Sequence, residues 1–199
     1  NETMLIILSV ATSFIAGLSF LVLTSLVKYF TRLELFILSF LMGYILTGFI
    51  HIALLPIDAI HRAQAILLTY IILGTLSFLK TVLGTRIKVN TRLSTASFSG
   101  KSDIVLLLLV LCFHMLTYFT LYPTFATSRG SDISRHFWQS VNLAREPATY
   151  SFDIVPILFH SYMAAIYLIS GKPNAITFIS LLEFLDILVP LAFYAMARR

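Results

Sequence analysis

Long apolar runs separated by short polar breaks occupy almost the whole chain. Six stand out: Met4–Val27, Leu33–Leu55, Ala63–Leu83, Asp103–Tyr122, Phe152–Ile169 and Ala175–Ala197. They are unbroken runs of about 20 residues, not the ~10-residue alternating segments of a membrane barrel, so the pattern predicts helices. At ~1.5 Å per residue each can cross a ~30 Å hydrocarbon layer, with Phe152–Ile169 near the lower limit. The breaks Lys28–Arg32, Pro56–Arg62 and Ser170–Asn174 are short and predict antiparallel neighbours. Gly84–Ser102 and Pro123–Ser151 are longer and leave room for chemistry outside the membrane. No repeat or linker divides the chain. The expected architecture is therefore all-α: one transmembrane domain over residues 1–199, with about six spans.

The Pro123–Ser151 stretch holds a second kind of pattern. Gly130 and Ser131 suggest a turn, and Ser131 or Asp132 can cap a helix that Glu146-Pro147 ends. Within it Ile133, Phe137, Val141 and Ala144 make an apolar face, with Asp132, Arg135, His136 and Gln139 on the opposite one. This predicts a short amphipathic helix at the membrane interface, with Trp138 as a headgroup-level anchor.

Composition agrees with lipid as the main solvent. The chain is 58% hydrophobic and 12% charged, with a mean hydropathy of +0.92. Soluble domains carry roughly 25% charged residues, so this chain has too little polar surface to coat a globule. The net charge of +5 sits mostly in the polar breaks, which predicts topology signals and lipid-headgroup contacts, with no nucleic acid partner. Cys112 is the single cysteine, so no internal disulfide can form.

Lys28, Arg32, Lys80, Arg86, Lys88, Arg92, Lys101 and Lys172 fall on one side of the predicted topology; Arg62, Arg129, Arg135, Arg145, Arg198 and Arg199 fall on the other. The densest cluster lies in Gly84–Ser102, which places that loop in the cytoplasm. Both termini and the Pro123–Ser151 loop then face outward. The glycosylation sequon Asn1-Glu2-Thr3 is compatible with an external N-terminus.

Several residues are candidates for chemistry. Asp132 and His136 are one helical turn apart, so an acid and an imidazole project together. They can bind a divalent cation or act as a base and its helper, but capping alone also explains Asp132. Glu183 and Asp186 lie inside the last apolar run, three residues apart, with Pro190 one turn on. Carboxylates at membrane depth cost several kcal/mol unless paired, protonated or hydrated, so a functional or buried polar site is expected there. His51, His114 and His160 sit in three different runs, and two of them could hold a haem, although single histidines bonded within a bundle are commoner. Gly43 and Gly48 are five apart, which predicts local packing and no small-residue seam.

The stretch Arg129-Gly-Ser-Asp-Ile-Ser-Arg-His-Phe through Tyr150, followed by Pro156-Ile-Leu-Phe-His160, resembles the first external loop and next helix of GT-C glycosyltransferases. The pattern Gly-x-Asp-x-x-x-His, then Tyr and Pro-x-x-x-His, is most similar to archaeal multi-spanning members. The resemblance covers about residues 122–170. It implies a membrane enzyme of cell-envelope or protein glycosylation that uses a polyprenyl-phosphate sugar donor. Asp132 would be the catalytic or metal-binding acid, holding Mg2+ or Mn2+, with His136 beside it. It also implies further helices after the loop, so the chain is expected to be part of something longer, one half of a split protein, or a non-catalytic relative. The alternatives are a non-enzymatic membrane subunit that anchors or bridges other membrane subunits and, behind it, a haem-binding electron-transfer subunit.

The topology makes the first prediction. In a Cys112→Ser background, an impermeant thiol reagent applied to intact cells should label Ser128→Cys and spare Ser97→Cys. The reverse pattern would invert the assignment.

Overall fold

The computed structural model describes residues 2–83, 112, 130–149, 157–171, 173 and 187–192. Helix α1 (Glu2–Leu23) ends four residues before the predicted boundary, because Ser25 adopts a left-handed conformation at φ 60°. That geometry is rare for a residue with a Cβ and stops an α-helix. A 3-10 turn (Leu26–Tyr29) follows. Helix α2 (Arg32–Ala53) then opens with a capping box: Glu34 N–H donates to Thr31 Oγ1 at 3.3 Å, and Thr31 N–H donates to Glu34 Oε2 at 2.8 Å. Glu34, an acid at the head of an apolar run, is thereby accounted for.

Helix α3 (Ala59–Leu83) begins earlier than the run Ala63–Leu83 suggests. Asp58 caps it, its Oδ1 accepting from the N–H groups of Ile60 and His61 at 3.1 Å each. Arg62 is thus drawn out of the polar break and into the first helical turn. Helices α4 (Gly130–Arg145) and α5 (Ile157–Ser170) follow, with a 3-10 turn (Pro147–Thr149) between them. All the described elements are helical. Two helices, α2 and α3, are long and apolar enough to cross a membrane, at mean hydropathies of 2.0 and 1.9.

Helices α1 and α2 pack as the antiparallel pair that the short break predicts, and they approach very closely. A Cβ built on Gly17 would lie 1.9 Å from the Ser39 carbonyl oxygen, and one on Gly43 would lie 2.2 Å from that of Ser13. The seam is therefore Ser9, Ser13 and Gly17 against Ser39, Gly43 and Thr47, small residues four apart on both helices. This corrects the expectation drawn from Gly43 and Gly48. The spacing of glycines alone hides a motif that serine and threonine complete. Gly48 does act locally, admitting Leu158 of α5.

Helix α3 packs chiefly on α1, more than on α2, its neighbour in sequence. Ser77 Oγ donates to Ser19 Oγ at 3.2 Å, and Ala16, Ile66, Tyr70 and Ala165 form a shared core of α1, α3 and α5. Thr47 ties the layers together, bonding Ser13 of α1 at 3.4 Å and Tyr70 of α3. The outward face of α3 exposes Leu68, Ile71, Ile72, Phe78, Val82 and Leu83. Such a stripe is stable against lipid, whereas in water it would promote association.

Every residue from Phe159 to Tyr167 of α5 is buried, because α1, α2 and α3 flank it on one side and α4 covers the other. Residues 187–192 pack through Leu188 and Leu191 on Ile37 of α2. Asn1, Glu183 and Asp186 lie outside the described residues, as do the predicted span Asp103–Tyr122 apart from Cys112 and the basic loop beyond Leu83.

The glycines offer a paired test. Gly43→Leu forces the α1–α2 backbones apart and should cost at least the ~1–3 kcal/mol of core overpacking. Gly74, with nothing within 4 Å of an added Cβ, should accept alanine neutrally or gain up to ~1 kcal/mol of helix propensity. Thermal unfolding in detergent distinguishes the two.

Candidate functional site

The amphipathic helix forms where the sequence predicts it and ends at Arg145, just before Glu146-Pro147. Its start differs. Gly130 is already helical, so Ser131 and Asp132 fall inside the first turn and not at the capping position before it. An acid there still complements the helix dipole, by roughly 0.3–1 kcal/mol. The side chain of Asp132 lies outside the described residues.

The buried face of α4 also departs from the predicted wheel. Val141 and Ala144 are buried as expected, together with Ser140 and Leu143, while Arg135 and Trp138 are exposed. His136 does not stand on a solvated face opposite Val141. It turns onto α5, and its Nδ1 lies 2.8 Å from Nε2 of His160, which is fully buried. One of these two nitrogens must carry the proton and the other must be bare. His160 itself sits in the first turn of α5 and not near the centre of a span. Ser140 Oγ donates back to the His136 carbonyl at 2.9 Å, and Phe137 meets the ring of Tyr167 edge-on at 6.1 Å.

At the other end of α4, Arg62 satisfies the terminal carbonyls. Its Nη1 donates to Leu143 O at 3.0 Å and its Nη2 to Ala144 O at 2.7 Å. The last carbonyls of a helix have no partner within it and carry partial negative charge, so a guanidinium matches them both chemically and electrostatically. Arg62 is 1% exposed, which corrects its placement among headgroup-facing cations. Nη1 also lies 3.3 Å from Nε2 of His51, in the last turn of α2. A guanidinium can only donate, so His51 accepts through a bare Nε2 and carries its proton on Nδ1. The nearby Asp58 is held below its ordinary pKa by the backbone hydrogen bond from His61, then by the His61 side chain. Its capping contribution is therefore present above the ordinary carboxylate range and is lost as pH falls through the depressed value.

Among the described residues, five buried polar atoms have no hydrogen-bond partner: His51 Nδ1, Arg62 Nε, Gln139 Oε1, Ser161 Oγ and Tyr167 OH. They lie on α2, α3, α4 and α5. A cavity of about 140 Å³ is lined by Val141, Ala144, Arg145, Tyr167, Leu168, Gly171 and Pro173.

Thus α2 and α3 bring His51 to Arg62 at one end of α4, and α4 and α5 bring His136 to His160 further along it. Of the histidines weighed for haem, His51 faces Arg62 and His160 faces His136, while His114 lies outside the described residues. Among the described residues, no group of three or more His, Cys, Asp or Glu is placed to hold a metal ion. Arg62 escapes a reading based on apolar runs alone. The Asp58 cap is the signal that would have found it, since it moves the helix start ahead of the arginine. No family model, curated protein or solved structure matches this chain.

The His136–His160 bond sets a stability expectation. His136→Ala removes a partner from a buried imidazole and should cost about 1–3 kcal/mol. Trp138→Ala, on the exposed face, should cost less in detergent. Chemical or thermal unfolding of the two variants checks the order.

Proposed function

We propose that this chain is a multi-pass membrane module of six spans that performs glycosyl transfer of the GT-C kind. Its donor is a sugar linked to polyprenyl phosphate, and the reaction takes place at the external face. The observation that carries this reading is the His136–His160 hydrogen bond. It joins the Gly-x-Asp-x-x-x-His and Pro-x-x-x-His segments, the two parts of the motif that prompted the resemblance, at one place under an amphipathic helix.

In this reading Asp132 is the general base. It takes the proton of the acceptor hydroxyl as that oxygen bonds to the anomeric carbon. The bond from that carbon to the phosphate oxygen breaks, and polyprenyl phosphate leaves with the electron pair. His136, one turn along the same helix, fixes the helix to α5 so that the acid is presented from a braced support. Alternatively, Asp132 would hold a divalent cation, Mg2+ or Mn2+, which would supply charge neutralisation on the donor phosphates.

Transfer of a labelled sugar from a polyprenyl-phosphate donor, measured with the full-length gene product in proteoliposomes, tests this reading. Asp132→Asn should cost at most ~1 kcal/mol of stability through the helix dipole, yet lower transfer by roughly 10²-fold or more. Parent-level transfer by a folded Asp132→Asn protein would overturn the role of Asp132. A parent protein inactive with every donor, but purifying with other membrane subunits, would favour an anchoring or bridging role.

A further inference from the structure

We infer that Arg62 is a positioning residue. It latches the C-terminal end of α4 to the helix bundle and so fixes where the first turn of α4, with Asp132, is held. The inference rests on the proposed role of Asp132 for its functional meaning, but the latch itself is a statement about geometry.

Three observations converge on it. The guanidinium spans two successive carbonyls, those of Leu143 and Ala144, at 3.0 and 2.7 Å. A planar fork with fixed donor directions therefore sets both the position and the rotation of the helix end, which one rotating ammonium could not do. The arginine is itself fixed, because Asp58 caps its helix, its own N–H donates to Asp58 O at 2.9 Å, and His51 meets Nη1 from α2. Finally, Arg62 is 1% exposed, and of the groups at the contact Leu143 and His51 are 0% and Ala144 4% exposed. Water has little access to these carbonyls, and among the described residues no hydrogen bond to the Arg62 side chain involves a carboxylate. The negative end of the α4 dipole complements the charge, and the Asp58 carboxylate, one turn back at the head of the same helix, adds to the attraction.

The attachment has two points along α4. Arg62 holds the last turn, and His160 holds the helix at His136. Loss of the first leaves α4 able to swing about the second, and that swing displaces Asp132 without breaking the bundle of α1, α2 and α3.

Spin labels at Ile60→Cys and Trp138→Cys, both on exposed positions, in a full-length Cys112→Ser protein read this directly. The parent should give one narrow distance distribution. Arg62→Gln should broaden it and add a second population, and Arg62→Lys should fall between the two. A control pair at Ile15→Cys and Leu68→Cys, on α1 and α3, should stay unchanged. An unchanged Ile60–Trp138 distribution in Arg62→Gln overturns the latch. Should the variants fail to fold, amide hydrogen exchange of the parent decides. Residues 140–145 of α4 should exchange more slowly than residues 133–135, and the opposite gradient overturns the proposal. None of these readouts needs sugar transfer, so a failed transferase assay leaves the latch standing and a failed latch leaves the transferase reading standing. If both hold, Arg62→Lys should also lower sugar transfer, since the acid is displaced.

Discussion

Helix ends are the difficult part of any fold that has lipid for a solvent. The last four carbonyls of each helix lack partners within it, and hydrocarbon offers none. Helix α3 resolves this for two other helices with its own side chains. Lys80 Nζ donates to Leu23 O at 2.6 Å and to Ser25 Oγ at 2.7 Å, closing α1 at its left-handed turn. Arg62 does the same for α4. The two cations are 18 residues apart in sequence, which on a helix is ~27 Å, close to the thickness of a hydrocarbon core. One helix thus carries a cation at each level where other helices must stop.

Close approach along the helices complements this closure at their ends. Between apolar helices in lipid there is little hydrophobic drive, and contact area, backbone proximity and buried hydroxyl pairs must do the work. The Ser9–Ser13–Gly17 and Ser39–Gly43–Thr47 rows provide all three, and Thr47 extends the bonding to Tyr70. Because α1 holds α2 on one side and α3 on another, α5 finds a preformed bed on which Phe159 to Tyr167 are buried.

The apolar runs made the helical class legible, and the four- and three-residue spacing of Phe137, Val141 and Ala144 located α4 to within a residue or two of its ends. Apart from the local Asp58 cap, what escaped were features set by partners distant in sequence. The turn at Ser25 depends on Lys80, 55 residues away, so the first run looked longer than its helix. His136 looked solvated because its partner His160 is 24 residues on, in a different run. Arg62 looked like a topology charge because the carbonyls it serves are 81 and 82 residues away. A sequence displays its periodicities, but not which donor will be present when a helix ends.

These same separations fix the order in which α4 can be gripped as the chain emerges from the ribosome. Its C-terminal carbonyls meet a receptor, Arg62 with His51, whose residues are all synthesised before α4 itself. Its imidazole contact needs His160, which is made later. In order of synthesis, the receptor for the tail of α4 precedes that helix and the partner of its imidazole follows it.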